Sequence, residues 1–256
     1  MGARALYMMD CGAGEFDYGV LVALQRPGEK VISPFSACLI DTDDGAVLVE
    51  TGVNPDGRKD PIAAAGERAC ATKLMLREED DIRARLEEVG LAPGEVRHVI
   101  LSHMHWDHAG GCKFFSQATF VVQRAEYRFA LYPDRAFSKP YVRHLFEGMS
   151  KLDLREGDGE VVPGVWVVSS PGHTPGHQSV LASLPESGKI LLACDVINTW
   201  SNIDLETPGG LTWNAAVALE SIRRLVQLAK RENATLVPGH DPSCWSKIKR
   251  SPDCYR

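Results

Sequence analysis

The chain has 256 residues, 44% of them hydrophobic and 24% charged, with a formal net charge of −6, a composition ordinary for a globular protein with ample core. No basic stripe runs through it, which excludes a nucleic-acid partner and favours neutral or weakly polar small molecules. No apolar run approaches the roughly 20 residues of a membrane span, so no membrane partner is expected.

In chain order, Ala5 to Met9 is predicted as an opening strand broken by Gly12 and Gly14, and Phe16 to Leu24 as strand or exposed loop. Ser36 to Asp41 and Ala46 to Glu50 read as strands joined by a turn ending in Gly45, where positive φ is cheapest. Asn54 to Ala65 mixes Pro, Gly and charge and is expected to be a mobile surface excursion, and the wider stretch to Met75 could serve a dimer contact. Asp80 to Val89 carries Ile82, Leu86 and Val89 at helical spacing with Gly90 behind them as a stop. Val96 to Leu101 and Thr119 to Val122 are strands, Ala125 to Leu131 a short helix, and Tyr132 to Asp158 shows only a weak pattern. Val165 to Ser169, Ser179 to Leu184 and Lys189 to Cys194 follow as strands, then a long helix through Leu219, Ile222, Leu225, Val226 and Ala229, then a last strand, Thr235 to Val237. On that helix Arg223, Arg224, Lys230 and Arg231 form the solvated face. This order suggests two β-rich halves, roughly 1–123 and 160–256, each covered by helices.

The seven cysteines form no CxxC pair and are odd in number, so reduced thiols in a cytoplasmic protein are expected rather than a disulfide framework. Met1 to Asp10 lacks the features of a signal peptide.

The densest chemistry lies just after the strand ending at Leu101, in His103-Met104-His105-Trp106-Asp107-His108. Imidazole and carboxylate are good ligands for zinc and similar divalent ions. His103 and His105 alternate along an extended segment and can grip one ion together. A helical turn at Ala109-Gly110-Gly111 would swing Asp107 and His108 toward a second ion. His173, Asp195 and His240 each follow a predicted strand, where a scaffold commonly positions ligands.

The HxHxDH core with the later Pro171-Gly172-His173-Thr174-Pro175-Gly176-His177, Asp195 and Gly239-His240 elements resembles the metallo-β-lactamase superfamily. The longer words Ser102 to Gly111, Val122-Gln123-Arg124-Ala125-Glu126-Tyr127 and Pro171 to Ser179 resemble its N-acyl-homoserine lactone lactonases. The tail Gly239-His240-Asp241-Pro242 with Trp245 is also similar to γ-butyrolactone lactonases.

The resemblance implies a single metallo-hydrolase domain over residues 1–256 with an α/β fold, a four-layer αβ/βα sandwich carrying two divalent ions at one rim. Zinc is the expected metal, with Co2+, Mn2+ or Fe2+ as alternatives. His103, His105 and His173 would hold one ion, Asp107, His108 and His240 the other, and Asp195 would bridge them, with His177 supporting the site. A hydroxide held between the ions would open the lactone ring, and Asp107 would carry the proton. Trp106, Trp200, Met9, Phe16 and Asn198 are the candidate substrate contacts, with Met8, Tyr18, Leu211 and Trp213 as further apolar candidates. Two positions depart from the family pattern: Asn198 stands where a Tyr touches the substrate carbonyl, and Glu50 where an Asp is usual. The partner is a small lactone, acylated or bare, acting on a monomer or homodimer. Thioester hydrolysis of glyoxalase II type and a catalytically silent metal-stabilised binding module are the rival readings.

Overall fold

The structure, a computed structural model, describes residues 2–256, with the backbone alone at Cys70. Strands β1 (Ala3–Asp17), β2 (Lys30–Thr42), β3 (Ala46–Val49), β4 (Lys73–Met75), β5 (Val96–Ile100), β6 (Thr119–Gln123) and β7 (Leu152–Arg155) form a seven-stranded sheet. Its spatial order is β4-β1-β2-β3-β5-β6-β7. Strands β8 (Gly159–Val162), β9 (Val165–Ser169), β10 (Gln178–Leu184), β11 (Gly188–Cys194) and β12 (Ala234–Pro238) form a second sheet in the order β12-β11-β10-β9-β8. Short helices α1 (Tyr18–Leu21), α2 (Pro61–Ala65), α3 (Ile82–Glu88) and α4 (Arg124–Leu131) accompany the first sheet; α5 (Trp200–Asp204) and α6 (Ala215–Glu232) accompany the second, and α7 (Pro242–Trp245) packs near β2.

Strand periodicity creates the layers. Along β2, Cys38 and Ile40 point one way while Ala37 and Leu39 point the other. The first set meets Val167, Val180, Ile190 and Leu192 of the second sheet in a dry core between the sheets. The second set joins Ile82 and Leu86 of α3 and Ala130 of α4. On the far side, Leu191 and Ala193 of β11 pack against Ile222, Leu225 and Ala229 of α6. Helix, sheet, sheet, helix is the expected four-layer sandwich. Each fully buried Leu or Ile side chain in these seams contributes about 1.5–3 kcal/mol. Helix α6 starts where the Asn214 side chain accepts the Val217 N–H and ends at Asn233 in the left-handed region.

Three local expectations change. Gly12 and Gly14 do not end the first strand; β1 continues through them, absorbing a register shift against β2 between Asp10 and Ala13. Asn54 to Ala65 lies on the surface only in part: Asp56 and residues 58–62 are exposed, but a 3-10 turn and α2, capped by Asp60, tuck Ala64 and Ala65 fully into the core. The ligand-rich segment enters no α-helix at Ala109-Gly110-Gly111 but a chain of turns closed by a 3-10 helix, Cys112–Phe114.

Candidate metal centre

Strands β3, β5, β9, β11 and β12 all end at one rim, so the residues just beyond them converge: Glu50, His103, His173, Asp195 and His240. The loop after β5 is held against the β3 end by backbone pairing. Thr51 gives its N–H and its hydroxyl to the His108 carbonyl, each at 2.8 Å, and Gly110 N–H bonds the Gly52 carbonyl at 3.0 Å. Gly110 is required by that approach, because a Cβ there would lie 2.2 Å from the Asn54 nitrogen.

Two ligand clusters result. His103 Nε2, His105 Nδ1 and His173 Nε2 form a triangle with edges of 2.9, 3.2 and 3.2 Å. Neutral imidazoles carry one N–H each, so three nitrogens this close are not all satisfied by one another, whereas a shared cation satisfies all three. The second cluster joins Asp107, His108 and His240. Asp195 stands between them with its oxygens divided. Oδ1 lies 3.2 Å from both His108 Nε2 and His240 Nε2, while Oδ2 lies 3.5 Å from His173 Nε2 and 3.9 Å from His103 Nε2. His108 Nε2 and Asp195 Oδ1 are buried polar atoms without a hydrogen-bond partner among the described residues. Buried polar atoms need partners, and this donor set of imidazole and carboxylate suits two divalent cations.

A supporting shell fixes ring orientation. His240 Nδ1 bonds the Pro34 carbonyl at 2.9 Å, turning Nε2 to the site. Glu50, in left-handed backbone conformation, accepts the Ser102 N–H at 3.0 Å and faces His108 Nδ1 at 3.4 Å with its other oxygen. His177 lies outside both clusters: its Nε2 accepts the Asp195 N–H at 3.2 Å and its Nδ1 contacts the Ser170 carbonyl at 3.1 Å. It therefore positions Asp195. Cys194 packs in the core between the sheets.

Electrostatics separate the groups. Burial, reinforced by neighbouring imidazoles, holds His103 and His105 well below the usual histidine range. Burial pushes His173 down to about 4 and His177 to about 3. Burial also opposes charge on His108 and His240, but Asp195 and Asp107 outweigh it and raise both. Burial raises Asp107, while for Asp195 the His240 and His108 rings outweigh burial and lower it well below the carboxylate range.

Above the clusters lies a narrow open hollow walled by Phe16, Leu21, Trp106, Pro140, Leu211 and Asn198. A smaller hollow beside it shares His105, Pro140, His173 and Leu211 and adds Trp213. Phe16, Trp106 and Asn198 are thus brought together with the ligands. Met9 and Trp200 are not. Met9 faces the helix-side core and is fully buried, and Trp200 is 39% exposed at the start of α5, outside both hollows. Asn198 gives its amide nitrogen to the Leu21 carbonyl at 3.2 Å, a bond that fixes it in the wall.

Sequence reasoning assigned no role to Glu126, Tyr141 or Arg68. Glu126 is fully buried, and its Oε1 accepts the Met104 N–H and the Tyr141 hydroxyl, both at 3.0 Å, and its Oε2 the Thr174 hydroxyl at 2.5 Å. One carboxylate thereby ties the His103–His105 loop to the His173 loop. Tyr141 in turn packs edge-on against His105, with ring centroids 4.8 Å apart. The available signal was a charge aligned with Ala130 at i, i+4 on the buried face of α4. Arg68 also lines the main cavity.

A family model described as the metallo-beta-lactamase superfamily matches residues 36–240. The N-acyl homoserine lactonase AiiA of Bacillus thuringiensis subsp. kurstaki is 34% identical over 246 residues, 94% of each chain. The crystal structure of a B. thuringiensis AiiA mutant with N-decanoyl-L-homoserine bound at its active site superposes with a TM-score of 0.91 at 31% identity, covering 100% of both chains. An N-acyl homoserine lactone hydrolase with the product N-hexanoyl-L-homoserine bound at its catalytic metal center gives the same score, identity and coverage. The chain belongs to the metallo-β-lactamase superfamily, within its N-acyl homoserine lactonase family.

Proposed function

We infer that this chain is a metal-dependent hydrolase that opens the lactone ring of N-acyl homoserine lactones. The observation that carries this reading is the divided Asp195 carboxylate, one oxygen to each ligand cluster, beneath an apolar-walled cavity. The relatives named above support the substrate class.

His103, His105 and His173 would hold one ion, Asp107, His108 and His240 the second, and Asp195 both. We assign zinc, two ions per chain, from the imidazole-rich donor set. Two divalent ions supply Lewis-acid polarisation of a carbonyl and activation of water at neutral pH. The chain's own residues do the rest. Asp107 turns Oδ2 toward His108 and His240, at 3.7 and 3.8 Å, which leaves Oδ1 to take a proton from the attacking water and return it to the ring oxygen. Phe16, Trp106 and Leu211 exclude water and cover the acyl chain, each buried CH₂ contributing about 0.8 kcal/mol. Asn198 retains one amide N–H beyond its bond to Leu21, available to a substrate oxygen.

The reading further takes residues 1–256 as one metallo-hydrolase domain working in the cytoplasm on a small lactone, as monomer or homodimer, with no nucleic-acid or membrane partner. Among the described residues no helix is long and apolar enough to cross a membrane. A pH-stat panel on metal-quantified protein tests the substrate class. Acyl-homoserine lactones of several chain lengths should exceed γ-butyrolactone, a pyridoxolactone, a glutathione thioester and a β-lactam in kcat/KM by at least about tenfold, the worth of two buried CH₂ groups. A preference for the thioester or the β-lactam would overturn it.

A further inference from the structure

The cavity over the ligand clusters is not uniformly apolar. Against Phe16, Val20, Leu21, Trp106, Pro140 and Leu211 stands one cation, Arg68, half-buried in the 3-10 turn Gly66–Cys70. Its backbone is fixed, since its carbonyl accepts the N–H groups of Ala71 and Thr72 at 2.9 and 3.0 Å. Its guanidinium is close enough for its charge to disfavour protonation of His105.

The next arginines along the chain are paired. Arg77 and Arg85 both pair with Asp80, and Arg83 with Asp81. Glu67, next to Arg68 in sequence, pairs instead with Lys139 at 3.4 Å. Among the described residues no acidic side chain lies within ion-pair distance of the Arg68 guanidinium. A permanently charged side chain with five N–H donors and no carboxylate partner therefore lines this cavity.

We propose that Arg68 is a specificity-determining residue that selects acyl lactones carrying a second carbonyl on the acyl chain, two carbons from the amide carbonyl. This rests on the lactonase reading above and adds to it which acyl chains are preferred. An acyl amide offers one acceptor oxygen outside the ring. A 3-oxoacyl amide offers two, on carbons in 1,3 relation, and two such oxygens can engage two N–H groups of one guanidinium, as a carboxylate does. The saturated chain engages the fork once and leaves a donor unmatched in a partly desolvated wall. The apolar lining residues receive the remainder of either chain, so the two substrates differ only at the fork.

The test compares kcat and KM for N-(3-oxohexanoyl)- and N-hexanoyl-homoserine lactone in the two-metal protein and in its Arg68→Met and Arg68→Lys variants. The ratio of kcat/KM for the two lactones is read within each protein, so it does not depend on how much of a variant folds. The parent should favour the 3-oxo substrate by roughly tenfold, mainly through KM, which is the size expected for one additional charge-assisted hydrogen bond. Arg68→Met should bring the ratio to about one, and Arg68→Lys, which keeps the charge and loses the fork, should fall between. A parent ratio near one, or a ratio unaltered in Arg68→Met, overturns the assignment of Arg68 while leaving lactone hydrolysis intact. Absence of turnover of both lactones by the parent overturns the lactonase reading and this inference with it.

Discussion

Asp107 and Asp195 are both buried at the floor of one cavity, and their surroundings drive them in opposite directions. Burial raises the first; for the second, His240 and His108 prevail over burial and hold it ionised. A pair of carboxyls separated in this way suits a division of labour, one group moving a proton and the other permanently charged. Asp107→Asn keeps the shape and an oxygen ligand but cannot carry the proton. Its kcat should fall about 10²–10⁴-fold with metal content near that of the parent, measured by initial rates alongside elemental analysis. Activity within tenfold of the parent would remove Asp107 from the proton path. Residue type made the ligands legible: imidazoles and carboxylates at fixed offsets in His103 to His108 have few other uses, and their partners all follow strands. The distinction between His173 and His177, each after a Pro-Gly, needed the family resemblance; in the structure His177 turns to the Asp195 backbone. That His105 presents Nδ1 where His103 presents Nε2 depends on ring rotation, which no spacing rule encodes.

At the scale of elements, the site is a product of loops held in register by groups that touch no ligand atom. Glu126, on the first turn of α4, receives the Met104 N–H and the hydroxyls of Tyr141 and Thr174, and the Gly176 N–H faces it as well. Four donors converge on a group whose ionised form only accepts. Glu126→Gln places an NH₂ where a donor already points. The cost should be about 1–3 kcal/mol of stability, seen as a lower denaturation midpoint at unchanged slope, together with weaker retention of the ion that His103, His105 and His173 would hold. A variant matching the parent in both measurements would show that the two ligand loops keep their places without this tie. Short elements were also where sequence reading stopped. Strands β4, β7 and β8 have three or four residues each, too few for an alternation to stand out, and their pairing with long neighbours is what makes them strands. The Pro- and Gly-rich composition of Asn54 to Ala65 hid the burial of Ala64 and Ala65, because small apolar residues carry little hydrophobic signal yet pack tightly where backbones approach.

For the whole molecule, two sheets and their covering helices serve mainly to bring the ends of five strands to one rim. That architecture was readable from the order of long strands and from α6, whose apolar face is unambiguous; sheet order and the rim itself were not, since they follow from pairings far apart in sequence. Metal binding and folding should be linked through the buried imidazoles. His177 is pushed down to about 3, against about 6.5 in an unfolded chain, so its contribution to stability is complete above pH 6.5 and is lost as the pH falls toward 3. Metal would require the five imidazoles proposed to hold it to be unprotonated, so acid acts on them in the same direction. Free Zn2+ held near 100-fold over Kd should raise the Tm of chelator-treated protein by about 10–20 °C at pH 7.5, from about 2.7 kcal/mol for each of two ions. In scanning fluorimetry this increment should shrink steadily between pH 7 and pH 5; an increment independent of pH would mean that metal binds elsewhere.

The central claim is that two ions bridged by Asp195 are the working unit of a lactone hydrolase. Its most direct test is a titration of chelator-treated protein with Zn2+, following N-hexanoyl-homoserine lactone hydrolysis and bound metal together, with Asp195→Ala in parallel. Activity should rise to a plateau at two ions per chain, and Asp195→Ala should hold fewer ions and lose at least about 10³-fold in kcat, consistent with losing a group that orders both ions. A plateau at one ion, or an Asp195→Ala protein that keeps two ions and near-parental turnover, would contradict it.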